Sequence, residues 1–270
     1  MMLKPFIMTV DVDPPPPSAP DLDIEKGTTD ILQLLSKHQV PATFFVPACV
    51  ALEFPELIQE IKSRGHEIAC HGLKHHANEA VSGFNEQSRI IKRATEEIER
   101  IAGTRPIGFR APLFRSNAYC QAVLHRNNYV YDSSFVSSPF YGNPKAYLLS
   151  KPFFLSCSNN HAECNLLEIP VSVNPFLPFP LGGAYLRIFG SRWAKVGIIT
   201  NSVFNAPVVL YIHPKDVIFR TDGPSWYSYK NTIKCMKALN DLILYGKRIG
   251  AKFMKARELA ELHLGTGKNA

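Results

Sequence analysis

The chain has 270 residues, enough to bury a full core without disulfides or a structural metal. With 46% hydrophobic and 20% charged residues, 16 Gly and 21 Pro, it is neither a disordered chain, a collagen nor a coiled coil. Thirty Lys and Arg against 23 Asp and Glu leave a net charge of +7, which favours an anionic neighbour. The basic residues are scattered, with no run of five or six and no nucleic-acid-binding module, so a nucleic-acid partner is not expected.

Residues 4–10 read as a largely apolar strand that ends at Asp11. An amphipathic helix is expected over 23–38, with Ile24, Ile31, Leu34 and Leu35 on one side. PATFFV (41–46) reads as a buried strand. A helix over 54–64 follows, stopped by Gly65. Strand 66–70, helix 85–101, strand 106–110, helix 117–126 and strand 129–132 continue the alternation. Residues 135–205 break it, being rich in Pro, Ser, Asn and aromatics, and read as an insertion of hairpins and loops. Within it, 174–199 combines Phe176, Phe179, Tyr185, Phe189 and Trp193 with Arg187, Arg192 and Lys195. This stretch reads first as a packed helix over the core, and second as a surface for sugar faces or an anionic bilayer. Strand 208–212, helix 229–245 and strand 251–254 restore the alternation. One domain is expected over 1–264, with a flexible tail at 265–270.

Strands separated by helices at this spacing imply βα units and a parallel sheet. The expected fold is α/β, a distorted (β/α) barrel of about seven parallel strands carrying the insertion. Neither a leader segment nor an unbroken apolar run of membrane-spanning length is read, so a cytoplasmic location is expected, with membrane association at most peripheral. Six cysteines are read as free thiols. Cys157 and Cys164 with His161 between them lack a partner pair at zinc-finger spacing.

The chemistry-bearing residues fall at the C-terminal ends of the expected strands: Asp11 and Asp13, His71 and His75, Arg110, Asp132 and His213. In a βα barrel those ends open onto one face, where active sites lie. His71 and His75 are four apart and share one side of a helical turn; His76 does not. Two imidazoles and a carboxylate suit a divalent ion, zinc first, although nickel, cobalt or manganese would accept the same set. Asp11 and Asp13 share one side of an extended strand, so one can ligate while the other stays free as a base.

The segments TVDVD (9–13), HGLKH (71–75), FRAP (109–112) and LYIHP (210–214) resemble, in order, the motifs of the polysaccharide deacetylase superfamily, carbohydrate esterase family 4, with its NodB-homology domain. The resemblance covers about residues 4 to 255. It implies metal-dependent hydrolysis of an N-acyl amide, with Asp11 as general base, Asp13, His71 and His75 as metal ligands, and Arg110 holding the base. His213 would be the general acid, and Leu210 would line the pocket for the acetyl methyl group. Pro112 and Asp132 are expected at the substrate. The usual Asp-Asp-Gly of the first motif is here Asp-Val-Asp followed by Pro14 to Pro17, a stiff rim. No Asp and Trp that would buttress His213 are evident, Asp132 being the nearest. The expected activity is removal of an N-acyl group, acetyl first, from an amino sugar in a glycan or in a lipid- or nucleotide-linked saccharide. The alternatives are an allantoinase-like hydrolase of a cyclic amide or ureide, and a non-catalytic carbohydrate-binding barrel. Among partners, the reading admits an anionic membrane surface and a second copy of the chain.

Overall fold

The computed structural model describes residues 5–17, 19–138, 151–155, 165–218 and 232–266. Strand β1 (Pro5–Asp11) is followed by α1 (Ile24–Lys37), β2 (Ala42–Val46), α2 (Ala48–Glu53), α3 (Pro55–Ser63), β3 (Glu67–Cys70) and α4 (Phe84–Ala102). Next come β4 (Gly108–Phe109), a 3-10 turn (Pro112–Phe114), α5 (Ala118–Arg126), β5 (Tyr131–Asp132), β6 (Phe153–Phe154) and β7 (Leu167–Glu168). The chain closes with α6 (Gly183–Val203), β8 (Val208–Ile212), a 3-10 turn (Pro214–Asp216), α7 (Thr232–Arg248), β9 (Lys252–Phe253) and α8 (Ala256–Thr266).

The strands form one sheet in the order β6-β7-β5-β4-β3-β2-β1-β8, with β9 also on β1. All pairings are parallel except β6 with β7. The sheet curls, and past the end of β7 the Ser172 amide donates to the Val209 carbonyl on β8 at 3.0 Å. This is the expected distorted barrel. Strand alternation divides the core in two. Ile7, Phe45, Ala69, Tyr131, Leu167, Val209 and Tyr211 fill the interior. Phe6, Met8, Val10, Phe44, Val46, Leu210 and Ile212 face outward against Ile31, Leu35, Ile58, Ile98 and Ile198 of the helices. Full burial of one such Phe or Leu contributes roughly 1.5–3 kcal/mol.

Caps set the helix ends that frame the site. The Asp23 side chain accepts from Lys26 N at 2.8 Å to start α1. Asn117 accepts from Cys120 N at 3.0 Å to start α5. Gly103, at φ 63°, ends α4.

Two expectations are refined. Among the described residues of 135–205, β7 joins the barrel beside β5, and α6 is a 21-residue helix, the packed helix read first for 174–199. Glycine disfavours helix, yet each of its three glycines has a structural reason. A Cβ at Gly183 would lie 2.1 Å from Asp216 Oδ2, and one at Gly197 2.9 Å from Leu181; Gly190 kinks the helix at φ 75°. The tail is helical through Thr266, and residues 267–270 lie outside the described residues. Cys157, Cys164 and His161 also lie outside them, whereas Cys49, Cys70, Cys120 and Cys235 are free thiols. Among the described residues no helix is long and apolar enough to cross a membrane.

Candidate active site at the C-terminal ends of the strands

The candidate residues stand at or just beyond the ends of their strands, where one more ladder bond continues several of the strands. Val12 N donates to Phe45 O, His71 N to Val46 O, Arg110 N to Cys70 O, and Ser133 N to Phe109 O, all at 2.9 Å. Backbone pairing therefore extends to the site itself and fixes where each side chain leaves the sheet.

Asp13, His71 and His75 converge, with one ligand atom from each lying within 4.8 Å of the others. Asp13 Oδ1 is 3.4 Å from His71 Nε2 and 3.1 Å from His75 Nε2. The His71 Nδ1–H donates to the Arg110 carbonyl at 2.7 Å, so a neutral ring aims its Nε2 lone pair at Asp13. Asp13 Oδ1 is buried and has no donor in hydrogen-bond geometry. A buried carboxylate oxygen facing imidazole lone pairs is a donor set for a cation, and these residues fit a divalent ion. Burial alone would raise the Asp13 carboxyl, but the charges of Lys215 and His213 beside it hold it well below the usual range.

The loop carrying both imidazoles is closed by a residue the sequence reading passed over. Glu79 is buried, and its carboxylate accepts from the amides of Leu73 (2.6 Å), Lys74 (2.7 Å) and His76 (3.1 Å). Gly72, at φ 85°, permits the approach, since a Cβ there would lie 2.4 Å from Glu79 Oε2. His75 itself adopts φ 61°, a left-handed conformation that this clamp stabilises. The His76 side chain is not in the cluster; its backbone serves the clamp.

Asp11 lies beside the cluster and is 1% exposed. Arg110, fully buried, donates from Nη1 to Asp11 Oδ1 at 2.6 Å and to Thr9 Oγ1 at 2.9 Å. Its Nε reaches Ser133 O at 3.0 Å and its Nη2 reaches Ser133 Oγ at 2.8 Å, while the guanidinium lies 4.1 Å from the Phe45 ring centroid. A buried charge with that many partners is held rigidly, and so is the carboxylate it bonds.

His213 Nε2 lies 3.4 Å from Asp13 Oδ2. The orienter of His213 is Asp216, three residues on, not Asp132. Asp216 Oδ2 accepts from His213 N and from Nδ1–H, both at 3.0 Å. Its Oδ1 is 3.1 Å from Nη2 of Arg187, a buried residue of α6. Burial would raise the Asp216 carboxyl; His213, Arg187 and Lys215 keep it lowered. The spacing His213-Pro-Lys-Asp216 carries a readable signal: a proline opens a 3-10 turn whose third residue bonds back to the capping position.

The expected substrate contacts fare differently. Pro112 is buried and opens the turn after Arg110, beside Gly72. Leu210 faces the helices, fully buried in the outer core, because Thr9 and Arg110 fix the opposite side of the sheet as the interior. Tyr211 takes the interior place instead, its ring centroid 5.5 Å from that of His213 and 5.1 Å from that of Phe114. Asp132 is 1% exposed and accepts from Ser134 Oγ. It pairs with buried Glu168; burial pushes Asp132 up to about 6 and Glu168 well above its usual range. In the former insertion, Phe179, Tyr185, Phe189 and Trp193 stack on one another at 4.9–6.1 Å, the packed helix of the first reading, and Phe176 is 79% exposed.

A curled parallel barrel with an Asp–His–His cluster, an arginine-held aspartate and an aspartate-held histidine at one end is thus in place. Residues 4–131, just under half of the chain, match the family model for polysaccharide deacetylase, and in that segment the chain is similar to members of this family. A peptidoglycan deacetylase of Helicobacter pylori (strain ATCC 700392 / 26695) is 29% identical over 116 residues, 43% of this chain. The match spans 39% of that relative's length. Among solved structures, one from Mycobacterium smegmatis assigned to the polysaccharide deacetylases aligns with TM-score 0.73 and 21% identity, covering 98% of this chain and 91% of that one. The Puue allantoinase aligns with TM-score 0.71 and 16% identity over 95% of this chain and 89% of its own. At these identities the likeness is one of fold.

Proposed function

We propose that this chain is a metal-dependent hydrolase that removes an N-acetyl group from an amino sugar. The observation that carries the reading is the unpartnered, buried Asp13 Oδ1 facing the Nε2 atoms of His71 and His75 beside two further oriented residues, Asp11 and His213. A divalent cation held by Asp13, His71 and His75, zinc in this reading, would polarise the amide carbonyl and make water a stronger acid.

The chain's own residues do the rest. Asp11, held by Arg110, accepts a proton as water attacks the carbonyl carbon. Cleavage of the C–N bond leaves acetate and a free amine. His213 delivers a proton from Nε2 to the departing nitrogen, while its Nδ1–H stays bonded to Asp216. Tyr211 and Phe114 wall the site beside His213. Retention of a base, an acid and a ligand set together favours an enzyme over a non-catalytic barrel.

Acetate release from free, oligomeric and lipid-linked N-acetylglucosamine tests the reading. Chelator should abolish release and added zinc should restore it. Chelator-insensitive turnover, or no release from any N-acetylated sugar, would refute it.

A further inference from the structure

Asp13 uses its two oxygens differently. Oδ1 faces the two histidines, whereas Oδ2 accepts from Lys215 Nζ at 2.7 Å and lies 3.4 Å from His213 Nε2. Lys215 comes from the 3-10 turn Pro214–Asp216, fixed between His213 and Asp216, and its side chain is 26% exposed. A carboxylate can bind a cation through one oxygen or both. A charge-assisted bond to one oxygen is strong enough to decide which mode is used. An ammonium at that position also opposes a second cation.

We propose that Lys215 is a positioning residue that holds Asp13 in the one-oxygen binding mode. This rests on the reading of Asp13, His71 and His75 as ligands. Engaging Oδ2 leaves Oδ1 alone for the ion, keeps a coordination position open for the reacting groups, and withdraws negative charge from the ion. The residue therefore trades affinity for an open, electrophilic site. Lys215 neither ligates nor transfers a proton in this account; it acts through Asp13.

The probe is Co2+ added to the metal-free full chain, read by visible absorption and by calorimetric affinity, in the wild type and in Lys215→Met. The d–d bands of Co2+ weaken as coordination number rises. Lys215→Met should weaken the bands, because Asp13 becomes free to bind through both oxygens. It should also tighten Co2+ binding while lowering kcat by about tenfold. Lys215→Arg restores a cationic donor and should return the wild-type bands. Circular dichroism of each variant establishes the fold. Identical bands and affinity in wild type and Lys215→Met overturn the proposal while leaving the metal site standing, and so does a Lys215→Arg variant that behaves like Lys215→Met. A wild-type chain that binds no Co2+ overturns both readings.

Discussion

Replacing Asp216 by Asn isolates what orients the acid. The substitution keeps size and shape, which matters because Gly183 leaves no room for anything larger beside Oδ2. It removes the charge that both Arg187 and His213 face. Arg187 has a side chain 6% exposed, so it becomes a buried cation without its anion. Breaking a buried pair from one side costs about 3–5 kcal/mol; the Asn carbonyl still accepts one bond, which brings the expected loss to about 3 kcal/mol. For a chain of this size that corresponds to a fall in Tm of about 6–12 °C. On activity, the Asn amide can present an N–H where His213 Nδ1–H needs an acceptor, so the imidazole is free to turn or change tautomer. A misplaced acid should lower kcat about a hundredfold and leave KM nearly unchanged. Acetate release and thermal unfolding on the same preparation measure both effects. Adding Arg187→Met to Asp216→Asn should recover part of the stability and none of the kcat, since it removes the orphan cation but not the fault at His213. A single Asp216→Asn variant with Tm within 1 °C of wild type and kcat within about twofold would refute the chain from Arg187 through Asp216 to His213.

Asp11→Asn should reduce kcat by about 10²–10⁴-fold with the affinity for Zn2+ unchanged, because Asp11 bonds Arg110 and does not join the cluster; retained turnover would remove it as the base. Glu79→Ala leaves three backbone donors of the histidine loop without their acceptor and should weaken Zn2+ binding about 10–100-fold by calorimetry; unchanged affinity would show that the loop needs no clamp. Glu168→Gln tests the buried acid pair through pH. Burial raises the folded-state Asp132 and Glu168 carboxyls, so the folded chain keeps protons that the unfolded chain has shed, and stability is lost as pH climbs from the unfolded value near 4 through the folded one. A carboxyl moved from 3.8 to about 6 costs on the order of 3 kcal/mol above that range. The Tm advantage of Glu168→Gln over wild type should therefore widen between about pH 4 and pH 7, and a constant gap would sink the assignment.

The barrel was legible where strands are long and wholly buried. PFIMTVD, ATFFV and VVLYI are apolar runs bounded by turn residues, and they form the neighbouring strands β2, β1 and β8 of the sheet. Asp11, Asp13 and His213 at the ends of two of them were equally legible, because ionisable side chains placed directly after a buried run need partners there. Strands of two residues, such as β4, β5 and β7, carry too little pattern to bound, and α2, framed by Pro47 and Pro55, is too short for a helical period to register. The helix α6, read as a packed helix within 174–199, had its bounds blurred by glycines whose purpose is tertiary: Gly183 makes way for Asp216, 33 positions later.

Leu210 and Tyr211 show how strand parity would have corrected the pocket assignment. On β8, His213 reaches the site, and side chains alternate, so Tyr211 and Val209 must share its side and Leu210 must not. The motif supplied the residue and the pleat supplied its direction. The same parity on β1 puts Thr9, Asp11 and Asp13 together, so one face of a strand delivers two partners of Arg110 and the proposed ligand at successive alternate positions. The two aspartates then differ by what lies across from them. Arg110 on β4's end claims Asp11, and the imidazoles beyond β3 claim Asp13. The different surroundings of two identical side chains are thus set by neighbouring strands, and they support the roles the family resemblance implies, Asp11 as base and Asp13 as ligand.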